Sequence, residues 1–177
     1  KTVEQRKFQN IIETFGTAVP IKTQSYNIEK YEILENIKYN TSVKSGDVVA
    51  KLKNRTITAP FDGVIGKRNF SDDINVSESS VVIDIEDASF LFIDVDVPEI
   101  FAPFVEKGLG VDIKFSGNKD KIYKGKVDSL ASKIDVSNRS LRLRVKMKNT
   151  NSEILPGALM EVTCLLYTSD AADEHTG

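Results

Sequence analysis

The residue types that most often carry chemistry are scarce in this chain. It has 177 residues, one Cys (Cys164) and one His (His175). A lone Cys excludes an internal disulfide, and one imidazole leaves neither a His-based metal cluster nor a Cys–His nucleophile pair. Acidic residues gather at Asp72-Asp73 and at Asp84, Glu86 and Asp87. Their spacing lacks the dense oxygen-ligand pattern of a calcium loop and reads as solvated turn charge. Met147 and Met160 could offer thioethers to a soft metal, but at strand positions they suit core filling. Arg139 could hold an anion, yet its planar guanidinium is better suited to pairing with a nearby carboxylate or backbone carbonyl. No nucleophile–base pair, Gly-rich phosphate loop or paired-carboxylate motif stands out. The expectation is a protein with no catalytic, cofactor or metal site, acting by shape.

Composition narrows the classes further. Apolar residues make up 40% and charged residues 28%, an ordinary globular balance. Lys+Arg is 24 and Asp+Glu is 26, so the net charge of -2 gives no electrostatic reason to expect nucleic acid. No apolar run approaches the roughly 20 residues that cross a bilayer. The C-terminal stretch from Cys164 to Glu174 resembles the conceptual translation of a transposon-adapter end used in short-read library preparation. Residues 164–177 are therefore set aside as a non-native tail, and native sequence is expected to stop near Thr163. The first residue is Lys1, not Met, so an anchoring or targeting segment is expected upstream.

The elements follow from periodicity and turn residues. Residues 1–16 fit either a helix, with Phe8, Ile11, Ile12 and Phe15 in a stripe, or a strand with Ile12 and Thr14 on one face. From Val19 to Asp87, short apolar runs alternate with polar turns such as Ser45-Gly46-Asp47 and Asp62-Gly63. Gly46 and Gly63 are expected at positive φ, and Pro60 at a strand edge or start. Val43–Asn54 and Val76–Asp87 form an internal repeat, pairing Val43 with Val76, Val48 with Val81, Val49 with Val82 and Leu52 with Ile85. Two such halves, each too small to bury its own apolar face, would pack together about a pseudo-twofold axis. Beyond Ala88, Leu91, Ile93, Val95 and Val97 alternate along one strand face. Pro98-Glu99 is expected to open a short helix whose stripe of Ile100, Phe101, Phe104 and Val105 covers a barrel end. Strands at Val111–Phe115, Lys124–Ala131, Ser140–Lys148 and Ala158–Val162 suit a small closed barrel.

Several motifs together carry a resemblance. Val43-Lys44-Ser45-Gly46-Asp47-Val48-Val49-Ala50 and Thr58-Ala59-Pro60-Phe61-Asp62-Gly63-Val64-Ile65-Gly66 resemble the two lipoyl half-motifs of the membrane fusion proteins, the periplasmic adaptors of efflux pumps of the resistance-nodulation-division (RND) and related types. Val97-Pro98-Glu99, Gly125-Lys126-Val127, Ile134-Asp135, Asn138-Arg139-Ser140, Asn149 and Leu155-Pro156-Gly157 recur in that family's order. The resemblance implies a mainly β fold: a lipoyl-like barrel-sandwich hybrid followed by a small β-barrel with one short helix. It divides the chain into an N-terminal strand entering the barrel (1–16), the lipoyl-like unit (17–87), the barrel (88–163) and the tail (164–177). The structural motif residues are then Gly46, Asp47, Ala59, Pro60, Asp62, Gly63, Gly125, Arg139, Pro156 and Gly157.

It also implies a function: scaffolding an inner-membrane transporter to an outer-membrane channel or second adaptor, as a homo-oligomeric ring in the periplasm, anchored upstream of Lys1. Family members usually carry a long α-helical hairpin between the lipoyl halves. Here Leu52–Ile57 joins them directly, with no heptads. The partner-contact tip is thus expected at Lys51, Lys53 and Arg55. Two other readings stand beside this one. The same fold serves ATP-driven exporters and type I secretion systems. Lipoyl and biotinyl carriers present a modified lysine on the corresponding hairpin, but Leu52 and Asn54 flank Lys53 where carriers place Met, or Asp and Ala.

Overall fold

The structure, a computed structural model, describes residues 7–68 and 79–169. Among these described residues are ten strands: β1 (Lys7–Glu29), β2 (Ser42–Val43), β3 (Val48–Lys51), β4 (Thr56–Thr58), β5 (Gly63–Arg68), β6 (Ser80–Pro98), β7 (Gly110–Phe115), β8 (Asn118–Leu130), β9 (Ser140–Lys148) and β10 (Leu159–Ser169). Short 3-10 segments at Lys30–Glu32, Glu99–Phe104 and Thr150–Ser152 are the helical turns among the described residues. The chain forms two compact units, one of Lys1–Val19 with Leu91–Gly177 and one of Pro20–Phe90.

The first unit is a barrel. Its strands run β1, β10, β7, β8, β9, β6, and β6 pairs back with β1. Closure leaves no unpaired edge among these strands. Thr14 reinforces the seam by donating its hydroxyl to the Asp96 carbonyl at 3.0 Å. The interior follows the period of two. Leu91, Ile93, Val95 and Val97 point inward from β6, and Leu143, Val145 and Met147 from β9. Each such side chain contributes about 1.5–3 kcal/mol relative to exposure. Met147 and Met160 are both buried in this interior.

Residues 7–16 are strand, paired in register with β10, with Ile12 buried and Ile11 and Phe15 exposed. Other expectations change. The segment after Pro98 is a 3-10 helix with Pro98 at its cap and Pro103 inside it. Without α-periodicity the supposed stripe does not face one way. Val105 is buried, whereas Ile100 is 73% exposed and Phe104 is 42% exposed. The stripe therefore does not cover a barrel end. Strand β10 runs on through Cys164 to Ser169, opposite Ile12 to Lys7, with Cys164 and Leu166 turned inward. Their alternation continues that of Met160 and Val162, and burial pushes the Cys164 thiol up from its ordinary value.

In the second unit, β5 pairs with both β2 and β6, while β3 and β4 form a separate two-stranded ribbon. Val43, Val49, Leu52, Ile57, Ile65, Val81 and Ile85 share one core, so both repeat segments feed the same interior. The match between them is imperfect. Val48 is half-exposed whereas Val81 is buried. A register irregularity between Val48 and Ala50 turns Val49 and Ala50 inward in succession, which breaks the simple alternation. Val76 lies outside the described residues, as do Asp72 and Asp73. Gly63 does not have positive φ. It is required for close approach, since a Cβ there would stand 2.6 Å from the Glu86 carbonyl oxygen across the β5–β6 pair.

Candidate partner-contact surfaces

The expected tip is a tight hairpin. The Leu52 amide donates to the Arg55 carbonyl at 2.9 Å, leaving Lys53-Asn54 as a two-residue turn between β3 and β4. A neighbouring turn braces it. The Lys53 amide donates to the Glu32 carbonyl at 2.8 Å, and the Leu34 amide to the Lys51 carbonyl at 3.0 Å. The three cations each have a local contact. Lys51 pairs with Glu35 at 3.1 Å, Arg55 donates to the Asn27 carbonyl at 3.2 Å, and the Lys53 ammonium lies 5.7 Å from the centroid of the Tyr31 ring. All three are exposed, so these contacts hold the side chains weakly and leave their charge displayed. Tyr31 and Leu34, both well exposed, extend the projection beyond the residues that the sequence pointed to. Nothing in the local sequence of residues 30–34 signals this, because the contact depends on long-range backbone hydrogen bonds.

The half-motif residues form the opposite, purely structural constellation. Asp47 accepts from the Lys44 amide at 2.9 Å, and Asp62 from the Ser45 amide at 2.8 Å. The Gly46 amide donates to the Ala59 carbonyl, and the Ala59 amide to the Asp47 carbonyl, each at 2.8 Å. Gly46 itself sits at φ 89, which a side chain would strain. The two half-motifs thus tie their turns to each other, with Ala59 buried and Pro60 exposed just beyond β4. The Ser45 amide, and then Lys44, hold the Asp62 carboxyl below its ordinary value.

On the barrel, the motif residues also answer backbone needs. Gly125 faces Met147 across β8–β9 in register. The Gly157 amide, next to Pro156, donates to the Ala18 carbonyl at 2.7 Å. Asp135 accepts from the Ser137 amide and hydroxyl at 2.9 and 2.6 Å, closing the turn before β9. Arg139, at φ 54, is mostly exposed and reaches Glu99 at 3.9 Å, so it displays no organised anion site. Asn149 is buried and clamps Ile154: its amide donates to the Ile154 carbonyl at 2.8 Å, and its oxygen accepts from the Ile154 amide at 3.1 Å. Arg142 and Arg144 form forked pairs with Asp96 and Asp94, all N–O distances lying between 2.8 and 3.0 Å. This ladder went unread in the sequence, although alternating Arg in one strand and Asp in another was its signal. Among the described residues, no group of three or more His, Cys, Asp or Glu could hold a metal ion. None of their helices is long and apolar enough to cross a membrane.

Residues 91–165 match the family described as the CusB-like, beta-barrel domain. The putative membrane fusion protein SilB of Salmonella typhimurium is 28% identical over 102 residues, which are 58% of this chain and 24% of SilB. The cation efflux system protein CusB of Escherichia coli K12 is 26% identical over 108 residues, 60% of this chain and 26% of CusB. The matches thus span only a minor part of those relatives' length. Among solved structures, ZneB from Cupriavidus metallidurans superposes with a TM-score of 0.65 at 13% identity, over 90% of this chain and 99% of that one. A MacA-MexA chimera containing the Pseudomonas aeruginosa MexA α-hairpin domain gives 0.68 at 15% identity, over 92% and 84%. At such identities the likeness is one of fold. Residues 91–165 are thus similar to the CusB-like β-barrel domain of RND membrane fusion proteins.

Proposed function

We propose that the protein is a periplasmic adaptor of an efflux transporter, non-catalytic and acting by scaffolding. The observation that carries this reading is the closed six-stranded barrel, whose sequence matches the CusB-like barrel domain over residues 91–165. The barrel docks on the periplasmic part of an inner-membrane transporter. The Pro20–Phe90 unit is the lipoyl-like barrel-sandwich hybrid. Copies of it pack side by side into a ring and present the Lys51–Arg55 tip to an outer-membrane channel or a second adaptor. A segment upstream of Lys1 anchors the whole to the inner membrane. Turns tied by Asp47 and Asp62 fix the Pro20–Phe90 unit, and closure leaves the barrel's own strands without unpaired edges.

The test is reconstitution. The gene and the transporter gene beside it are expressed in a host deleted for its own efflux adaptors, and export is followed by substrate accumulation. Export that depends on this chain is the expected result, and the neighbouring gene tells a proton-driven from an ATP-driven motor. Export indifferent to the chain would refute the reading. Intact mass after co-expression with lipoyl and biotinyl ligases addresses the carrier alternative, where an adduct on Lys53 would replace the adaptor reading.

A further inference from the structure

A groove of about 280 Å³ opens onto the core of the Pro20–Phe90 unit. Val43, Val49, Ala50 and Ile65, all buried, form its floor, and Val48 stands half-exposed on its wall. The rim carries Lys38 and the Glu35–Lys51 ion pair. Two bordering strands each have a side that no described strand covers. β2 ends the order of the large sheet, with β5 as its neighbour, and β3 pairs with β4 alone. No β4 residue lines the groove, so it runs along the side of β3 that faces away from β4. On that side the Leu34 amide already donates to the Lys51 carbonyl, and Ile33 bridges to Leu52. The stretch Val48–Ala50 has no such neighbour among the described residues. A strand side without a neighbour presents its backbone N–H and C=O groups to whatever lies beside it.

We propose that this groove takes a short extended segment of a partner protein, which adds as a strand beside Val48–Ala50 and sets an apolar side chain over Val43 and Ile65. The occupant follows from what the groove offers. An extended backbone is the group that satisfies the free side of a strand, and its alternate side chains then enter the adjoining pocket. A second copy of this chain has no suitable segment to give. Among the described residues its barrel is closed, and β2 and β4, of two and three residues, already turn Val43 and Ile57 into their own core. The rim adds a charge match. Glu35 and Lys51 satisfy each other at 3.1 Å, whereas Lys38 is exposed and forms no ion pair with a described residue. The partner segment therefore carries a carboxylate that reaches Lys38. The bulge between Val48 and Ala50 and the Leu34 contact keep the free stretch short, so it accepts one segment and does not grow an open sheet. The inference concerns the Pro20–Phe90 unit alone and does not rest on the adaptor reading.

The experiment selects peptides from a random phage-displayed library on the full chain and maps a selected synthetic peptide by amide hydrogen exchange. Expected are peptides that alternate apolar and polar residues and include an acidic one, with exchange slowed at Val48–Ala50 and unchanged in the barrel. Methylating one alternate set of the peptide's backbone nitrogens, the set that faces β3, should weaken binding about tenfold, the worth of one or two net hydrogen bonds, and methylating the other set should not. Lys38→Ala should weaken an acidic peptide about two- to fivefold. Val48→Glu should abolish capture, and Leu155→Ala on the barrel should leave it intact, with far-UV circular dichroism checking that each variant folds. Where Val48→Glu does not fold, the methylated peptides decide. A library that yields no binder overturns the inference. So does protection outside the groove, equal binding by the two methylated peptides, or capture unaffected in folded Val48→Glu. Self-association of the chain that Val48→Glu abolishes would assign the groove to a second copy and also overturn it.

Discussion

Asn149 offers the sharpest test of how the barrel is held. It is 4% exposed, and both its amide groups are spent on the backbone of Ile154, itself 1% exposed. Asn149→Ala leaves a buried N–H and a buried C=O without these partners. Each orphan costs about 1–3 kcal/mol, so the loss is about 2–6 kcal/mol. For a chain of this size each kcal/mol moves the melting midpoint by about 2–4 °C, which gives a fall of roughly 4–24 °C. Asn149→Asp separates the two bonds. Its carboxylate still accepts from the Ile154 amide but faces the Ile154 carbonyl. Burial and that carbonyl raise the introduced acid's folded pKa, so its penalty grows as pH rises through the carboxylate range. At low pH the protonated acid regains a donor, and the gap from wild type narrows. Urea unfolding followed by far-UV circular dichroism at several pH values reads both effects. A loss below about 0.5 kcal/mol for Asn149→Ala, the range of ordinary surface substitutions, would refute the clamp. So would an Asn149→Asp penalty indifferent to pH.

Three further outcomes follow from the second unit. Gly63→Ala should cost more than Gly46→Ala, because a Cβ at position 63 meets the Glu86 backbone at 2.6 Å whereas one at position 46 meets open space and only the strain of φ 89, about 1–2 kcal/mol; equal losses in urea titration would contradict the close-approach argument. The Ser45 amide and Lys44 depress the Asp62 pKa, so the stability they confer is present above the ordinary carboxylate range and lost as pH falls through the folded value. Asp62→Asn should flatten that acid limb in pH-dependent melting, and an unchanged limb would show the contact to be inconsequential. Glu86 behaves oppositely: burial, then Asp84, raises its pKa, so its ionisation costs stability as pH rises through and above the carboxylate range. Glu86→Gln should raise the melting midpoint at neutral pH and not in acid, and a fall at neutral pH would reverse the assignment.

The alternating β6 and β9 patterns were legible because a strand with one buried face writes its period of two into the sequence. Leu91, Ile93, Val95 and Val97 are all at or below 1% exposure. Local pattern failed where backbone geometry intervened. Pro98 caps a 3-10 segment at 99–104 and Pro103 lies inside it, so the apparent stripe from Ile100 to Val105 scattered over different directions. Gly63 looked like a turn glycine but is a contact glycine, a distinction that exists only once β5 and β6 are paired. Of the candidate tip, Lys51, Lys53 and Arg55 were visible as hairpin charges. Tyr31 and Leu34 were not, because the hydrogen bonds from the Lys53 and Leu34 amides join segments about twenty residues apart.

The sequence by itself determined the β class and the scarcity of Cys and His, since residue type and short-range period are local quantities. Only tertiary structure decided which charges share a face. Lys126 and Lys146 are opposed, and Asp94 and Asp96 take Arg144 and Arg142, because pairing register is set by the closure of the whole barrel.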